Sequence, residues 1–188
     1  MDKKQFRQQQ LTRLGAMSAA DRLAQNQALQ QQLVASPAWK QANRIAVTIS
    51  SAIEVDTRPI IEAAWRAHKL VFVPQTRPQR QLAFKPYTAT TQLERTKFGI
   101  LEPVTGLTVD KATLDLILVP GLGYSRADGA RIGFGGGYYD RYLADYTGVK
   151  LTLAFREMAF DQAGWPIEPT DILLDQLLVA EDGGNDGH

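Results

Sequence analysis

The chain contains no cysteine, which excludes disulfides, thiol catalysis and cysteine-based zinc sites together. Histidine is nearly absent too, with only His68 and His188 present. The first falls at the end of a predicted helix, where the dipole favours a cation, and the second is the terminal residue, so a histidine-ligated metal site is not expected. The same scarcity argues against a serine hydrolase, and Gly123-Tyr124-Ser125-Arg126-Ala127 misses the final glycine of a nucleophile elbow. Nor is there an excess of one charge: 21 Lys and Arg oppose 20 Asp and Glu. A dedicated nucleic-acid binder would show a clear basic surplus, so no nucleic-acid partner is expected and any anion selectivity must be local. No apolar run approaches a membrane span, and Met1 to Gln10 is polar and basic without an apolar signal core. The expectation is a cytoplasmic protein with no membrane partner. Its 188 residues suit one domain with a sizeable core.

What is present is concentrated in Ala130-Arg131-Ile132-Gly133-Phe134-Gly135-Gly136-Gly137-Tyr138-Tyr139-Asp140-Arg141, with four glycines in five positions. Glycine is costly to order, so a dense run marks backbone that must approach something closely. A phosphate chain fits. Unhindered N–H groups can point at phosphate oxygens, Arg131 and Arg141 can neutralise them, and a helix starting near Tyr138 would add its positive end. Asp140 is then a candidate magnesium ligand, because this ion is commonly held by one or two carboxylates and substrate phosphates. A Walker loop would need Lys-Ser or Lys-Thr where Tyr138-Tyr139 stands. A dinucleotide fingerprint would need glycine at Tyr138 or at Arg126, depending on its start. The residues alone also allow a turn whose tyrosines are packing residues.

Lys3 to Ala35 is rich in Gln, Leu and Ala with leucines at helical spacing, and Ser18 followed by Asp21 divides it into two helices. Arg44 to Ser50 reads as a buried strand. Thr57 caps a predicted helix that has Pro59 in its first turn and runs to about His68, and Leu70 to Pro74 is the next strand, giving a parallel βαβ unit. Short strands are expected at Leu82 to Phe84 and Leu177 to Val179, and longer ones at Asp115 to Pro120 and Lys150 to Phe155. A helix from Tyr138 to Tyr146 follows the glycine loop. The expected class is α/β: a single domain over residues 1–182, with a mostly parallel central sheet flanked by helices and preceded by an N-terminal helical pair. The loop then lies after a strand's carboxyl end, where open sheets bind ligands. Residues 183–188 are expected to form a disordered tail.

The chain resembles the 5-formyltetrahydrofolate cyclo-ligases, also called 5,10-methenyltetrahydrofolate synthetases, over nearly its whole length. The matching pieces come in family order: Lys3 and Arg7, Glu54-Val55-Asp56-Thr57, Val73-Pro74, Phe98 to Pro103, Val119-Pro120-Gly121, Arg131 to Arg141, and Asp171 with Asp175. Gly-Gly-Gly-Tyr-Tyr-Asp-Arg is the most specific of them. The resemblance implies an ATP- and magnesium-dependent ring closure of 5-formyltetrahydrofolate, with ATP and the folate as small-molecule substrates and the protein a monomer or weak oligomer. It implies that Lys3 and Arg7 hold the nucleotide phosphates. The nucleotide segment would be Arg131, Ile132, Gly133, Phe134, Gly135, Gly136, Gly137, Tyr138 and Tyr139, with the folate's reacting end along Phe134 to Tyr138. Arg131 and Tyr138 would be the catalytic residues, Asp140 and Asp171 the magnesium ligands. Glu54 would bind the pterin, a carboxylate accepting two parallel hydrogen bonds, and Phe98 would stack on the ligand.

Without the resemblance, Lys3 and Arg7 one turn apart read as a solvated helix face, Glu54 as a turn carboxylate, Phe98 as core, Asp171 with Asp175 as an exposed pair, and Asp140 as a helix-start residue. Two departures from the family stand out. Phe134 occupies a position that is often basic in the family, and Pro169-Thr170-Asp171 has threonine where histidine or asparagine often precedes the aspartate. Phe134 motivates an alternative, a non-catalytic folate- or nucleotide-binding protein of the same fold. A sugar-phosphate enzyme is a third reading.

Overall fold

The computed structural model describes residues 1–180. The expected tail, residues 183–188, and the end of the expected domain at 181–182 lie outside the described residues. The N-terminal pair is present as α1, Lys3–Gly15, and α2, Ala19–Ala35. Asp2 and Gln5 form a reciprocal capping box at the start of α1, and the Ser18 side chain accepts from the Asp21 amide at the start of α2. A short helix, α3 (Pro37–Gln41), leads to β1 (Arg44–Ala46), α4 (Arg58–Arg66) and β2 (Leu70–Arg77).

β1 and β2 pair in parallel, as the βαβ reading requires. β2 then turns back as β3 (Gln81–Pro86), and β4 (Leu93–Arg95) with β5 (Leu101–Pro103) forms a separate hairpin. The chain continues through β6 (Leu116–Leu118), β7 (Gly123–Ser125), β8 (Arg131–Ile132), α5 (Tyr138–Leu143), β9 (Val149–Ala154), β10 (Ala159–Phe160) and β11 (Gln176–Val179). The six-stranded sheet has the order β11-β9-β6-β1-β2-β3, parallel throughout except at β3. Its centre is apolar on both faces: Ala46, Leu116, Ile117 and Leu151 are fully buried. Each such leucine or isoleucine contributes roughly 1.5–3 kcal/mol.

Several expectations change in detail. The first strand stops at Ala46, although the Val47 amide still donates to the Phe72 carbonyl. Thr57 does not cap α4 with its side chain: its hydroxyl donates to the Thr48 carbonyl at 2.6 Å and accepts from the Ser50 amide. It thereby ties down the loop after β1. α5 ends at Leu143 rather than Tyr146, six residues in all, so its dipole is weaker than a long helix would supply. The three-stranded sheet β10-β7-β8 has no counterpart in the sequence reading, because strands of two or three residues are too short for alternation to register.

A single close backbone contact positions the Asp171 segment. Gly129 has φ +72°, and a Cβ there would lie 2.6 Å from the Leu174 carbonyl oxygen. That close approach lets the Leu174 amide donate to the Gly129 carbonyl at 2.9 Å. It fastens the segment carrying Asp171 to the β7–β8 turn. Among the described residues, no helix is long and apolar enough to cross a membrane.

Candidate active site

In the strand order, β2 lies on one side of β1 while β6, β9 and β11 follow on the other, so the chain changes direction between β1 and β6. A crevice opens at the carboxyl ends of strands at such a point. The cavity there is lined by Thr48, Glu54 and Val55 from the loop after β1, by Val119, Pro120 and Gly121 after β6, and by Tyr124. The Glu54 carboxylate is fixed locally, accepting from the Ser51 amide at 2.8 Å and the Ser51 hydroxyl at 2.7 Å through Oε2. Tyr124 is buried, and burial pushes its phenol up to about 12. Thr152, whose side chain partly offsets that shift, donates its hydroxyl to the Val119 carbonyl at 2.7 Å.

The glycine loop runs beside this cavity, between β8 and α5. Arg131, at its start, has a side chain only 4% exposed. Nη1 donates to the Pro120 carbonyl at 2.8 Å and Nη2 to Asp140 Oδ1 at 3.2 Å, so one guanidinium joins the cavity wall to the far end of the loop. Arg7 reaches across from α1, donating through Nε to the Gly133 carbonyl at 2.8 Å. Gly135, at φ +103°, is where the loop turns under Arg7; a Cβ there would lie 3.4 Å from the guanidinium carbon in a conformation that L side chains rarely adopt. Phe134 projects from the loop, 49% exposed.

The same α1 face carries Lys3. Its ammonium contacts both Asp171 oxygens, at 2.7 and 3.0 Å, and Glu168 at 3.3 Å. Phe6, between the two cations in sequence, packs edge-on against Phe160 and Trp165 at centroid distances of 5.3 and 4.7 Å, which fixes α1 over the site. The solvated-face reading of Lys3 and Arg7 therefore fails. Asp140 Oδ1 also accepts from the Ile172 amide at 3.2 Å, bringing the segments of the two candidate metal ligands together. Asp175 is drawn instead to Lys150, at 3.0 Å. Among the described residues no cluster of three or more acidic, histidine or cysteine side chains forms.

Tyr138 and Tyr139 diverge. The Tyr138 ring lies against Gly136, where a Cβ would come within 2.5 Å of it, whereas Tyr139 turns inward to meet the edge of Phe84 at 6.4 Å. Burial, then the charge of Glu54, raises the Tyr139 phenol well above its ordinary value. Phe98 stands apart from this assembly. It sits on the turn between β4 and β5, 72% exposed, with the Lys97 ammonium 5.1 Å from its ring centroid. Sequence reasoning missed the aromatic clamp on α1 and the part of Tyr124 in the cavity wall. Phe6 lies between Lys3 and Arg7 in the sequence, but its partners Phe160 and Trp165 are too distant in the chain to be read from spacing.

Comparisons with known proteins bear on the family and the fold. The profile of the 5-formyltetrahydrofolate cyclo-ligase family matches residues 1–180. A 5-formyltetrahydrofolate cyclo-ligase of Mus musculus is 33% identical over 183 residues, covering 90% of this chain and 89% of that one. Among solved structures, a 5,10-methenyltetrahydrofolate synthetase of Aquifex aeolicus superposes with a TM-score of 0.84 at 27% identity, covering 97% of this chain and 91% of the other. A Mycoplasma pneumoniae synthetase shares the fold, with a TM-score of 0.76 at 24% identity over 95% of this chain and 98% of that one.

Proposed function

The chain belongs to the 5-formyltetrahydrofolate cyclo-ligase family, and from that premise we propose that it uses ATP to convert 5-formyltetrahydrofolate to 5,10-methenyltetrahydrofolate, releasing ADP and phosphate. A formyl amide does not lose its oxygen as water at neutral pH. Transfer of the γ-phosphoryl group to that oxygen makes it a leaving group, the second folate nitrogen attacks the activated carbon, and phosphate departs. Such a reaction needs positioning and charge stabilisation rather than a protein nucleophile.

The observation that carries this reading is the gathering of Lys3, Arg7, Arg131, Asp140 and Asp171 around one glycine loop beside the Glu54 cavity. Arg7 is anchored by Nε, which leaves the outer guanidinium N–H groups for phosphate oxygens. Asp140 and Asp171 fit a magnesium ion that takes its remaining ligands from phosphate and water. Such an ion, when bound, neutralises phosphate charge. In the free protein the same carboxylates neutralise Lys3 and Arg131. On binding, both cations turn from carboxylate to phosphate. Opposite charges are exchanged rather than stranded, which avoids the large penalty of an unpaired buried charge. Tyr138 and Phe134 would flank the reacting end of the folate, and Glu54 would take the amino and ring N–H groups of the pterin.

The test is direct. Purified protein with magnesium, ATP and 5-formyltetrahydrofolate should form the methenyl chromophore with one phosphate released per ring closed. Binding of either ligand without ring closure would instead make it a binding protein of the same fold. Glu54→Gln should weaken folate binding by about tenfold or more, the scale of a charge-assisted pair of hydrogen bonds, while nucleotide binding stays within about twofold. Calorimetric titration of each ligand reads both constants; equal losses would remove Glu54 from the pterin.

A further inference from the structure

A polar stripe on α2 holds the loop that carries Glu54. Arg22, Asn26 and Gln30 are spaced by four, so they share one face of the helix. Arg22 Nη1 donates to the Ile53 carbonyl at 3.2 Å, Asn26 Oδ1 accepts from the Asp56 amide at 2.9 Å, and Gln30 Nε2 donates to the Pro59 carbonyl at 3.3 Å. The three side chains thus grip the chain from the residue before Glu54 to the first turn of α4. Arg22 also reaches a third element. Its Nη2 donates to the Leu14 carbonyl, in the last turn of α1, and its guanidinium lies 5.2 Å from the ring centroid of the fully buried Phe155. One planar group therefore joins the carboxyl end of the helix that presents Lys3 and Arg7 to the carbonyl next to Glu54.

We propose that Arg22 is a positioning residue that couples the two ligand sites, so that occupancy of the nucleotide site tightens folate binding. When Lys3 turns from Asp171 to phosphate, α1 is held by the nucleotide at its amino end. The 13-residue helix carries that constraint to Leu14, Arg22 passes it to Ile53, and the Glu54 carboxylate is presented with less freedom left to lose. A ligand that meets an ordered site forfeits less entropy on binding. By linkage, the folate tightens nucleotide binding by the same factor. The bridge depends on a guanidinium, whose donors are fixed in one plane, whereas a lysine ammonium is a single point on a flexible stem.

This rests on the proposed function for the identity of the two ligands, and the two fail differently. Calorimetric titration of 5-formyltetrahydrofolate is compared with and without a saturating non-hydrolysable ATP analogue and magnesium. In wild type the folate dissociation constant should fall about fivefold or more when the analogue is present, and in Arg22→Met the ratio should collapse to within about twofold of one. The Leu14 carbonyl also accepts from the Met17 amide, so that substitution does not strand it. Arg22→Lys keeps a cation over Phe155 and carries the same expectation if the methionine variant does not fold. Asn26→Ala frees the loop from α2 without touching α1, so it should weaken folate binding equally in both states and leave the ratio as in wild type. A merely structural arginine would behave like Asn26. A wild-type ratio of one overturns the proposal, as does a ratio that survives in both Arg22 variants or is lost equally in Asn26→Ala. Wild-type protein that binds both ligands, shows the ratio and closes no ring contradicts the proposed function and leaves the coupling standing.

Discussion

Arg131→Met is expected to lower kcat for ring closure by about a thousandfold at saturating substrates, the scale found when a positioned cation or oxyanion donor is removed from phosphoryl transfer. Two effects act together. The transferring phosphoryl would lose a buried arginine that we propose lies beside it, and the loop loses the strut that joins Pro120 to Asp140. Methionine keeps the apolar stem but donates nothing, so the Pro120 carbonyl and Asp140 lose a partner each. Breaking a fully buried pair costs about 3–5 kcal/mol, and because Asp140 is 25% exposed the loss here falls below that range. Urea unfolding should therefore show a weakened but cooperative fold, with single-turnover ring closure slowed far more than stability explains. A kcat within tenfold of wild type would take Arg131 out of the reaction.

Asp140→Asn should cost about two orders of magnitude in turnover with the fold intact. The change is nearly isosteric. The asparagine carbonyl oxygen can still accept from the Ile172 amide and Arg131, so the loop keeps its shape. What is lost is one negative charge, and with it the magnesium ligand we propose. The concentration of magnesium needed for half-maximal rate should rise along with the drop in kcat, and an unchanged melting temperature separates this from unfolding. Wild-type activity and magnesium dependence in the variant would exclude Asp140 from the metal. Arg131→Met fails through both structure and chemistry; Asp140→Asn isolates charge.

The candidate site was legible where it is local in the chain. Gly133 to Gly137 between Arg131 and Asp140 already specifies exposed amides flanked by opposite charges, and the structure leaves that loop beside the crevice of a mostly parallel sheet. What was not legible depends on distance. Lys3 and Asp171 are 168 positions apart, and only the docking of α1 through Phe6 brings them into contact. β7, β8 and β10 are too short to alternate, so the sheet that carries Arg131 left no periodic signal. Tyr138 and Tyr139 are the same residue type in adjacent positions. Helix geometry alone turns one to the loop and the other to the sheet.

The central claim is that the main-chain amides of the glycine loop, with Lys3, Arg7 and Arg131, hold the triphosphate. A crystal structure with magnesium and a non-hydrolysable ATP analogue tests it most directly. The β- and γ-phosphate oxygens should lie on the amides of 133–137, with Lys3 released from Asp171 and turned to phosphate. An analogue lodged elsewhere, with the loop vacant and the Lys3–Asp171 pair intact, would contradict it.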